Sequence, residues 1–196
     1  MKYTTALLLL VSSINSFAEA EVKPAKVMIP IFSQKIAFKL PLTWKTGSEN
    51  RSDNSYMIEL IPINENIESW QSLIVIQGFK GLAKNITPDK YIATTVENYK
   101  GVCGKDLIYE ALDKTVIDGF STQIAILGCA KLPNANTGEV SYWTVIQGSN
   151  DLYVIQKAVR FSGKNPLTRA NAHDFIAMLL PIELCSAGGE KLDCNK

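Results

Sequence analysis

The sequence predicts an α+β domain built as a three-layer α/β/α sandwich around a mainly antiparallel sheet. Segments with strand character follow one another, and only two helical segments interrupt them, so there is no repeat of βα units. In residues 73–77 and 124–127, apolar side chains fall at odd and even positions alike. Because successive strand side chains point to opposite faces, the sheet must be covered on both faces.

The segment before residue 80 predicts strands separated by polar loops. Residues 21–30 form a lead-in bounded by prolines, and residues 31–45 alternate in part, as an edge strand or a strand pair interrupted by Pro41 would. Residues 46–55 contain no apolar side chain and predict a solvated loop. Two further strands are expected at residues 56–61 and 69–79.

A helix start follows at residues 87–89. Thr87 suits the N-cap, Pro88 suits the first helical position, and Asp89 places negative charge in the first turn. Glycines at positions 101 and 104 predict the end of this helix. The stripe that should face the core consists of Ile92, Val96, Tyr99 and Cys103.

The remainder of the chain predicts four strands and a second helix. The strands are expected at residues 107–118, 121–132, 140–147 and 152–161, the last two as a hairpin. Asn165 and Pro166 open the second helix, and Pro181 ends it. Its core-facing residues should be Ala172, Phe175, Ile176 and Leu179. The tail over residues 186–196 is polar.

The N-terminus has the pattern of a secretory signal peptide over residues 1–20. Lys2 gives a positive start, residues 6–11 form an apolar run, and Ala18-Glu19-Ala20 is a small-x-small cleavage site. A membrane anchor is the alternative, but this run is far shorter than the roughly 20 residues that span a bilayer. We expect a single domain over residues 21–196, no membrane insertion, and a secreted or periplasmic location.

The chain has four cysteines, and an even number in an exported chain predicts two disulfides with three possible connectivities. The pairing Cys103–Cys129 and Cys185–Cys194 is favoured because it closes the shortest loops, and the first pair would join the end of a helix to the end of a strand. Loop-closure entropy gives roughly 3.5 and 2.7 kcal/mol for these two bridges. A thiolate zinc site is the alternative, but it lacks any C-x-x-C spacing.

The charge balance excludes several classes of function. Lys and Arg number 20 against 19 for Asp and Glu, which gives a net charge of +1 and not the basic excess of a nucleic-acid binder. The chain has one histidine, and neither phosphate loops nor dinucleotide fingerprints occur. We therefore expect no cofactor, no metal and no nucleic-acid partner.

Two routes to catalysis stay open. His173 lies beside core-facing Ala172 on the second predicted helix, where it would need a nucleophile or an acid as partner. Asp174 points about 100° away around a helix, which favours a boundary histidine without a catalytic role. Carboxylate pairs have no spacing rule, although acids on strands more often mark a solvated face. The acids that could converge are Glu59, Glu68, Glu110 and Asp113.

The tripeptide Val-Ile-Gln occurs three times, at residues 75–77, 145–147 and 154–156, always on a predicted strand. Burying a glutamine amide without partners costs roughly 1–3 kcal/mol, so these amides either face a ligand or satisfy loop backbone at strand ends. Tryptophans precede the first two copies. The first alternative predicts a ligand-binding groove lined by Trp70, Gln77, Trp143 and Gln147.

Three motifs follow one another before residue 80: Phe38-x-Leu-Pro-x-x-Trp44, Tyr56-x-x-Glu59-x-x-Pro62 and Trp70-x-x-Leu73-Ile-Val-Ile-Gln77. This succession resembles small exported bacterial proteins with a PsbP/Mog1-like sandwich, and the later order of elements is similar over most of the chain. The resemblance implies an α/β/α sandwich without established catalysis, in which members bind other proteins. Because the motifs consist of scaffold residues, no functional residue is carried over.

These observations favour an exported, disulfide-bonded binding protein without enzymatic activity, which acts on a protein partner in a host or in the bacterial envelope. The alternative is a small exported hydrolase that uses carboxylates or His173. The surroundings of His173 discriminate between the two hypotheses. A pocket with a converging acid or hydroxyl favours the enzyme, and a packed surface favours the binding protein.

Overall fold

The computed structural model describes residues 24–133, 135–186 and 194, so the predicted signal peptide over residues 1–20 lies outside the described residues. The elements are, in order, β1 (Ala25–Ile31), β2 (Gln34–Leu40), β3 (Trp44–Arg51), β4 (Ser55–Pro62), β5 (Ser72–Phe79), α1 (Pro88–Cys103), β6 (Leu107–Ile117), β7 (Phe120–Cys129), β8 (Gly138–Gln147), β9 (Leu152–Phe161), α2 (Ala172–Ile176) and β10 (Glu183–Ser186). Short 3-10 turns lie at Leu82–Lys84, Gly104–Asp106, Arg169–Asn171 and Ala177–Leu179.

The strands of the described chain form two sheets. Seven strands form the central sheet in the order β3-β4-β5-β9-β8-β7-β6, and three form a small sheet in the order β1-β2-β10. All neighbouring strands in both sheets are antiparallel. This arrangement confirms the predicted α+β class with a mainly antiparallel sheet.

The central sheet is covered on both faces, as its doubly apolar strands predict. Helix α1 packs on what we call the outer face, where Ile92 and Val96 cluster with Leu127. The small sheet and α2 cover the opposite, inner face, where Phe38 and Ile176 belong to the largest core cluster. The third layer is therefore shared between a short helix and a small sheet.

Helix α1 occupies the segment that the sequence predicts. Thr87 is its N-cap residue with extended φ and ψ of −86° and 158°, and Pro88 fills the first helical position. Gly104 follows the last residue with a φ of 55°, a left-handed conformation that glycine adopts without a side-chain clash. The buried members of the predicted stripe are Ile92, Val96 and Cys103.

The prediction of a solvated loop over residues 46–55 is wrong for most of that segment, because β3 runs through it. Strand β3 is an edge strand that pairs with β4, with a register shift between Thr46 and Ser48. Backbone hydrogen bonds hold the strand, while most of its side chains are exposed and need not be apolar. The polar composition therefore marks the edge of the sheet.

The lead-in predicted for residues 21–30 is also a strand in its described part. Strand β1 begins at Ala25 and pairs with β2 along its whole length. Pro30 is tolerated because β1 lies at the edge of the small sheet, where one side of the strand needs no partner. The two flanking prolines therefore do not exclude a strand at this position.

The second predicted helix is shorter than expected, since α2 has five residues and 3-10 turns flank it. Side chains three residues apart also share a face in a 3-10 turn, so the predicted stripe keeps its role and Ala172, Ile176 and Leu179 are buried. The polar tail expected from residue 186 is preceded by β10, which pairs with β2.

The structure contains the disulfides Cys103–Cys129 and Cys185–Cys194, the pairs that the loop lengths favoured. In the first, the α-carbons are 5.3 Å apart and the bridge joins the end of α1 to the end of β7. In the second, they are 5.7 Å apart, and the bridge attaches Cys194 to β10. The first bridge thus fixes α1 over the outer face.

Candidate binding groove

Helix α1 covers only part of the outer face. It packs on β6, β7 and β8 and leaves the side formed by β4, β5 and β9 open. A groove of about 460 Å³ lies on this open side and extends to β8 and the edge of α1. We call it the sheet groove and define it by Glu59, Trp70, Gln77, Tyr99, Glu139, Trp143, Gln156 and Arg160.

The strand register brings a row of groove residues together on the outer face. Glu59 lies opposite Val75, and Val75 lies opposite Gln156. Gln156 in turn lies opposite Trp143, so that one row crosses β4, β5, β9 and β8. Since alternate residues of a strand share a face, residues far apart in the sequence meet on one surface.

Two glutamine side chains share the sheet groove. Nε2 of Gln156 donates to Oε1 of Gln77 at 3.4 Å, and Nε2 of Gln77 lies 3.5 Å from Sδ of Met57. Gln156 is 9% exposed, so its amide is almost withdrawn from solvent. Because a side-chain amide offers two donors and a two-lone-pair acceptor, these contacts leave hydrogen-bonding capacity for a ligand.

Near the end of β9, the sheet groove contains an ion pair whose arginine is stacked on Trp70. Arg160 lies opposite Glu139 in the register, and its Nε is 3.4 Å from Oε2 of Glu139. The guanidinium carbon of Arg160 lies 4.0 Å from the ring centroid of Trp70. Both charged side chains are about one quarter exposed. The stacked indole and guanidinium therefore form a flat surface with a fixed carboxylate beside it.

Burial changes the titration of two groove side chains. Burial raises the pKa of Glu139, although the positive charge of Arg160 opposes this shift. The pKa of Tyr99 is raised to about 12, first by burial and then by the negative charge of Glu139. Nε1 of Trp143 is buried and has no hydrogen-bond partner within the described part of the chain. In such a poorly solvated site, each polar contact with a ligand is strengthened.

The structure brings three of the four predicted groove residues together. Trp70, Gln77 and Trp143 line the sheet groove. Gln147 lies outside it, and its Nε2 donates to the carbonyl oxygen of Ala83 at 2.8 Å. Gln147 therefore has the other role considered for these glutamines, the hydrogen bonding of loop backbone at a strand end.

Sequence reasoning did not assign Tyr99, Glu139, Gln156 and Arg160 to the groove. Gln156 and Arg160 alternate with Ala158 on β9, a polar and apolar pattern that indicates a face without apolar cover. That signal was present in the sequence. The pairing of Arg160 with Glu139 depends on the β8–β9 register, which this pattern does not reveal.

His173 lies on α2, on the opposite side of the central sheet from the groove. Its side chain is 83% exposed, and its Nδ1 lies 3.7 Å from Oδ1 of Asp174, which is 90% exposed. The expected boundary position is therefore wrong, because this short helix buries only Ala172 and Ile176. Asp174 also turns towards His173 and not away from it. Two exposed side chains do not form the pocket that a catalytic histidine needs.

Two of the four candidate acids meet a shared cation at the surface. Nε of Arg169 lies 2.6 Å from Glu110, and its Nη1 lies 3.6 Å from Asp113. The side chains of Arg169 and Asp113 are 50% and 97% exposed. Glu68 lies in an exposed loop. Glu110 and Asp113 therefore form a solvated surface cluster with Arg169, and Glu68 is not part of it.

The fourth candidate acid, Glu59, lies in the sheet groove, where Oγ of Ser48 donates to its carboxylate. The other carboxylate in the groove is that of Glu139, three strand spacings away and four residues further along. The α-carbons of these two acids are therefore separated by about 20 Å. Paired carboxylates in glycoside hydrolysis lie about 5–10 Å apart, so these two cannot act as such a pair.

One group of potential metal ligands occurs among the described residues. The ligand atoms of Glu183, Cys185 and Cys194 lie within 4.8 Å of one another. Both sulfur atoms belong to the disulfide, so neither is available as a thiolate. In the same part of the chain, neither helix has the length and apolar character that a membrane span requires.

No protein-family model and no curated protein sequence matches the chain. Solved structures similar to it include the Saccharomyces cerevisiae Ran-binding protein Mog1p, with 13% identity, a TM-score of 0.44, and coverage of 81% of this chain and 86% of that chain. LpqN of Mycobacterium tuberculosis, involved in cell envelope biogenesis, has 13% identity, a TM-score of 0.42 and coverage of 82% and 91%. A Bacteroides thetaiotaomicron protein has 12% identity and a TM-score of 0.41; the alignment covers 78% of this chain and spans 45% of that protein.

Proposed function

We propose that this protein is an exported binding protein without enzymatic activity, and that it holds a segment of a partner protein in the sheet groove. The observation that carries this proposal is the meeting of Trp70, Gln77, Trp143 and Gln156 in one poorly solvated groove on the open side of the outer face. Aromatic side chains with a few placed polar groups are typical of binding surfaces.

The chemistry of the groove suits a polypeptide segment. Peptide N–H and C=O groups match the free donors and acceptors of Gln77 and Gln156. The groove also holds the carboxylates of Glu59 and Glu139 against the single cation of Arg160. A segment with a basic residue is therefore favoured by charge complementarity.

Export is supported by the pattern of residues 1–20 and by the cysteines. All four cysteines are in disulfides, and disulfides persist in oxidising compartments such as the periplasm or the extracellular medium. The absence of catalysis is supported by the positions of His173 and the candidate acids, none of which forms a paired acid and base in the groove.

The test is a selection of peptides from a displayed random library on the oxidised protein. Bound peptides should shift the indole N–H signal of Trp143 in NMR spectra, because this group lies in the groove wall. Gln77→Arg places a long cation in the groove and should weaken the selected peptides by about tenfold or more. The matched control is Gln71→Arg, the same change at an exposed residue outside the groove, which should bind as the wild type does.

Two results would contradict the proposal. Selected peptides that bind Gln77→Arg and the wild type equally well would have their site elsewhere. A selection that yields no peptide with saturable binding would exclude a polypeptide segment as the ligand of this groove.

A further inference from the structure

A second cavity lies on the inner face of the central sheet, between that sheet and the layer formed by β2, α2 and the segment before β10. Its volume is about 510 Å³, within the range of small-molecule sites. Apolar side chains from both layers form most of its wall, among them Ile117, Ile124, Ile176, Leu180 and Ile182. We call it the interlayer cavity.

The mouth of the interlayer cavity carries exposed residues from both layers. Thr115 of β6 and Pro181 are exposed, whereas Thr144 and Ile182 are buried. The cavity therefore opens to solvent at one side and ends among buried residues at the other. An occupant with a polar end and an apolar body fits this polarity, because the polar end can stay hydrated while the apolar body leaves water.

Lys39 is the one charged residue among the described residues that line the cavity. It forms no ion pair with any residue that the structure describes. Its cross-strand neighbour Lys26 is paired with Glu183 at 2.8 Å, so these two charges balance each other. Asp118, beside the cavity residue Ile117, accepts a hydrogen bond from the backbone N–H of Leu184 at 2.8 Å.

A second lysine on the inner face also lacks an acidic partner. Lys157 lies opposite Tyr142, a residue of the cavity wall, in the strand register. Its Nζ donates to the carbonyl oxygen of Phe175 at 2.5 Å and lies 4.4 Å from the ring centroid of that residue. Lys39 is exposed and Lys157 is half-buried, and neither forms an ion pair with any residue that the structure describes. The two lysines therefore add a positive potential that an anion would balance.

We propose that the interlayer cavity binds a single-chain amphiphile with an anionic head group, such as a fatty acid. Its hydrocarbon chain lies against Ile117, Ile124 and Ile176, and its carboxylate lies at the mouth near Lys39. This site is separate from the sheet groove, because the two lie on opposite faces of the central sheet. It does not depend on the function proposed above.

The experiment measures the binding of dodecanoate to the purified, oxidised protein by isothermal titration calorimetry, below the concentration at which dodecanoate forms micelles. We expect saturable binding of one dodecanoate per chain. Dodecyltrimethylammonium has a chain of the same length and the opposite charge. It should bind about tenfold or more weakly, since its head group meets Lys39 as a like charge.

Two variants locate the ligand. Lys39→Glu reverses the charge at the mouth and should weaken dodecanoate binding by about tenfold. Thr115→Trp places a large side chain at an exposed position of the mouth and should weaken binding of both amphiphiles by about tenfold or more. The control is Lys35→Glu, on the same strand but outside the cavity, which should bind dodecanoate as the wild type does. Melting temperatures show that each variant is folded.

Three results would overturn the proposal. They are the absence of saturable dodecanoate binding, equal affinity for the two amphiphiles, and unchanged dodecanoate affinity in Lys39→Glu or in Thr115→Trp. The variant Gln77→Arg alters the sheet groove and not the interlayer cavity, so its affinity for dodecanoate should equal that of the wild type. Failure of one site is therefore distinguishable from failure of the other.

Discussion

The outer face of the central sheet has two halves, and the apolar residues of each half are shielded from solvent in a different way. Under α1, the sheet presents Ala125, Leu127 and Val145, all of them fully withdrawn from solvent. On the open half, Val75 is only 7% exposed although no helix covers it. There the cover comes from side chains of the sheet and its loops, including Trp70.

A sheet face can therefore have low solvent exposure without a covering layer of apolar side chains. An aromatic ring or the stem of an arginine shields its neighbours from water while its polar part stays within reach of solvent. The open half therefore combines low exposure with the amides of Gln77 and Gln156 and the charge of Arg160. The cluster under α1 is built from aliphatic and aromatic side chains, and this difference is why the candidate site extends over the open half.

Removal of the Cys103–Cys129 disulfide should have the largest effect, because this bridge fixes α1 over the covered half. The double variant Cys103→Ala/Cys129→Ala removes a bridge with a sequence separation of 26 and should lower the free energy of unfolding by about 3.5 kcal/mol. Urea denaturation of the oxidised protein measures this change.

The control is Cys185→Ala/Cys194→Ala, whose bridge has a sequence separation of 9 and should contribute about 2.7 kcal/mol. Peptide mapping without reduction should first identify these two pairs in the purified protein. An equal or greater loss from the shorter bridge would mean that the attachment of α1 is not the main contribution to the stability of the covered half.

Two valines compare the halves directly. Val145 is fully buried under α1, and Val75 lies on the same face in the open half. Truncation to alanine removes the same two methyl groups, so Val145→Ala should cost about 2.5 kcal/mol and Val75→Ala about 1.5 kcal/mol, because the open half can relax around the change. Thermal unfolding of both variants gives the values. Equal losses would show that the two halves are packed equally well.

Much of the fold follows from local patterns in the sequence. Alternating and doubly apolar runs predicted the central strands, and Thr87 with Pro88 predicted the start of α1. Strands β1 and β3 were not predicted, and one cause accounts for both. Strands β1 and β3 lie at sheet edges, where backbone pairing decides the structure and the side chains carry little apolar signal.

The candidate groove was predicted only in part, because its contacts depend on how the strands pair. Glutamine on an apolar strand is an unusual local feature, and it directed attention to Gln77 and to Gln147 alike. Only the three-dimensional structure distinguishes their roles. Gln147 donates to the carbonyl oxygen of Ala83, whereas Gln77 accepts a hydrogen bond from Gln156 in the groove. Contacts across strands depend on register, and a local pattern does not contain that information.

The free energy of unfolding should decrease with rising pH because Glu139 is poorly solvated in the groove. The pKa of Glu139 is raised by burial, so the folded protein holds this proton at pH values where the unfolded chain has lost it. The corresponding contribution to stability is complete below the ordinary pKa of glutamate and is lost as the pH rises through the raised value. Glu139→Gln should remove this decline from a series of urea melts at increasing pH.

The matched control for that series is Glu97→Gln, an exposed residue on α1 that is paired with Lys100. It should keep the decline seen in the wild type, because an exposed pair contributes little. A decline that persists in Glu139→Gln would assign it to another group and would mean that this carboxylate is better solvated than its position indicates.

The smallest effect is expected at His173, which lies on the inner-face layer and lines neither proposed site. Its side chain is 83% exposed, so His173→Gln should change the free energy of unfolding by less than about 0.5 kcal/mol. If the protein were a hydrolase with His173 as acid or base, the same change would lower its rate by about 10²-fold or more. A panel of ester, glycoside and peptide substrates tests this, with the melting temperature as the control for folding.

A hydrolase that uses carboxylates would keep its activity in His173→Gln, so Glu59→Gln is assayed beside it. Because Glu59 lies about 20 Å from Glu139, we expect no activity for either variant to lose, and peptide binding by His173→Gln should equal that of the wild type. Hydrolysis that disappears in His173→Gln at an unchanged melting temperature would contradict our interpretation of the inner-face layer as one without catalytic groups.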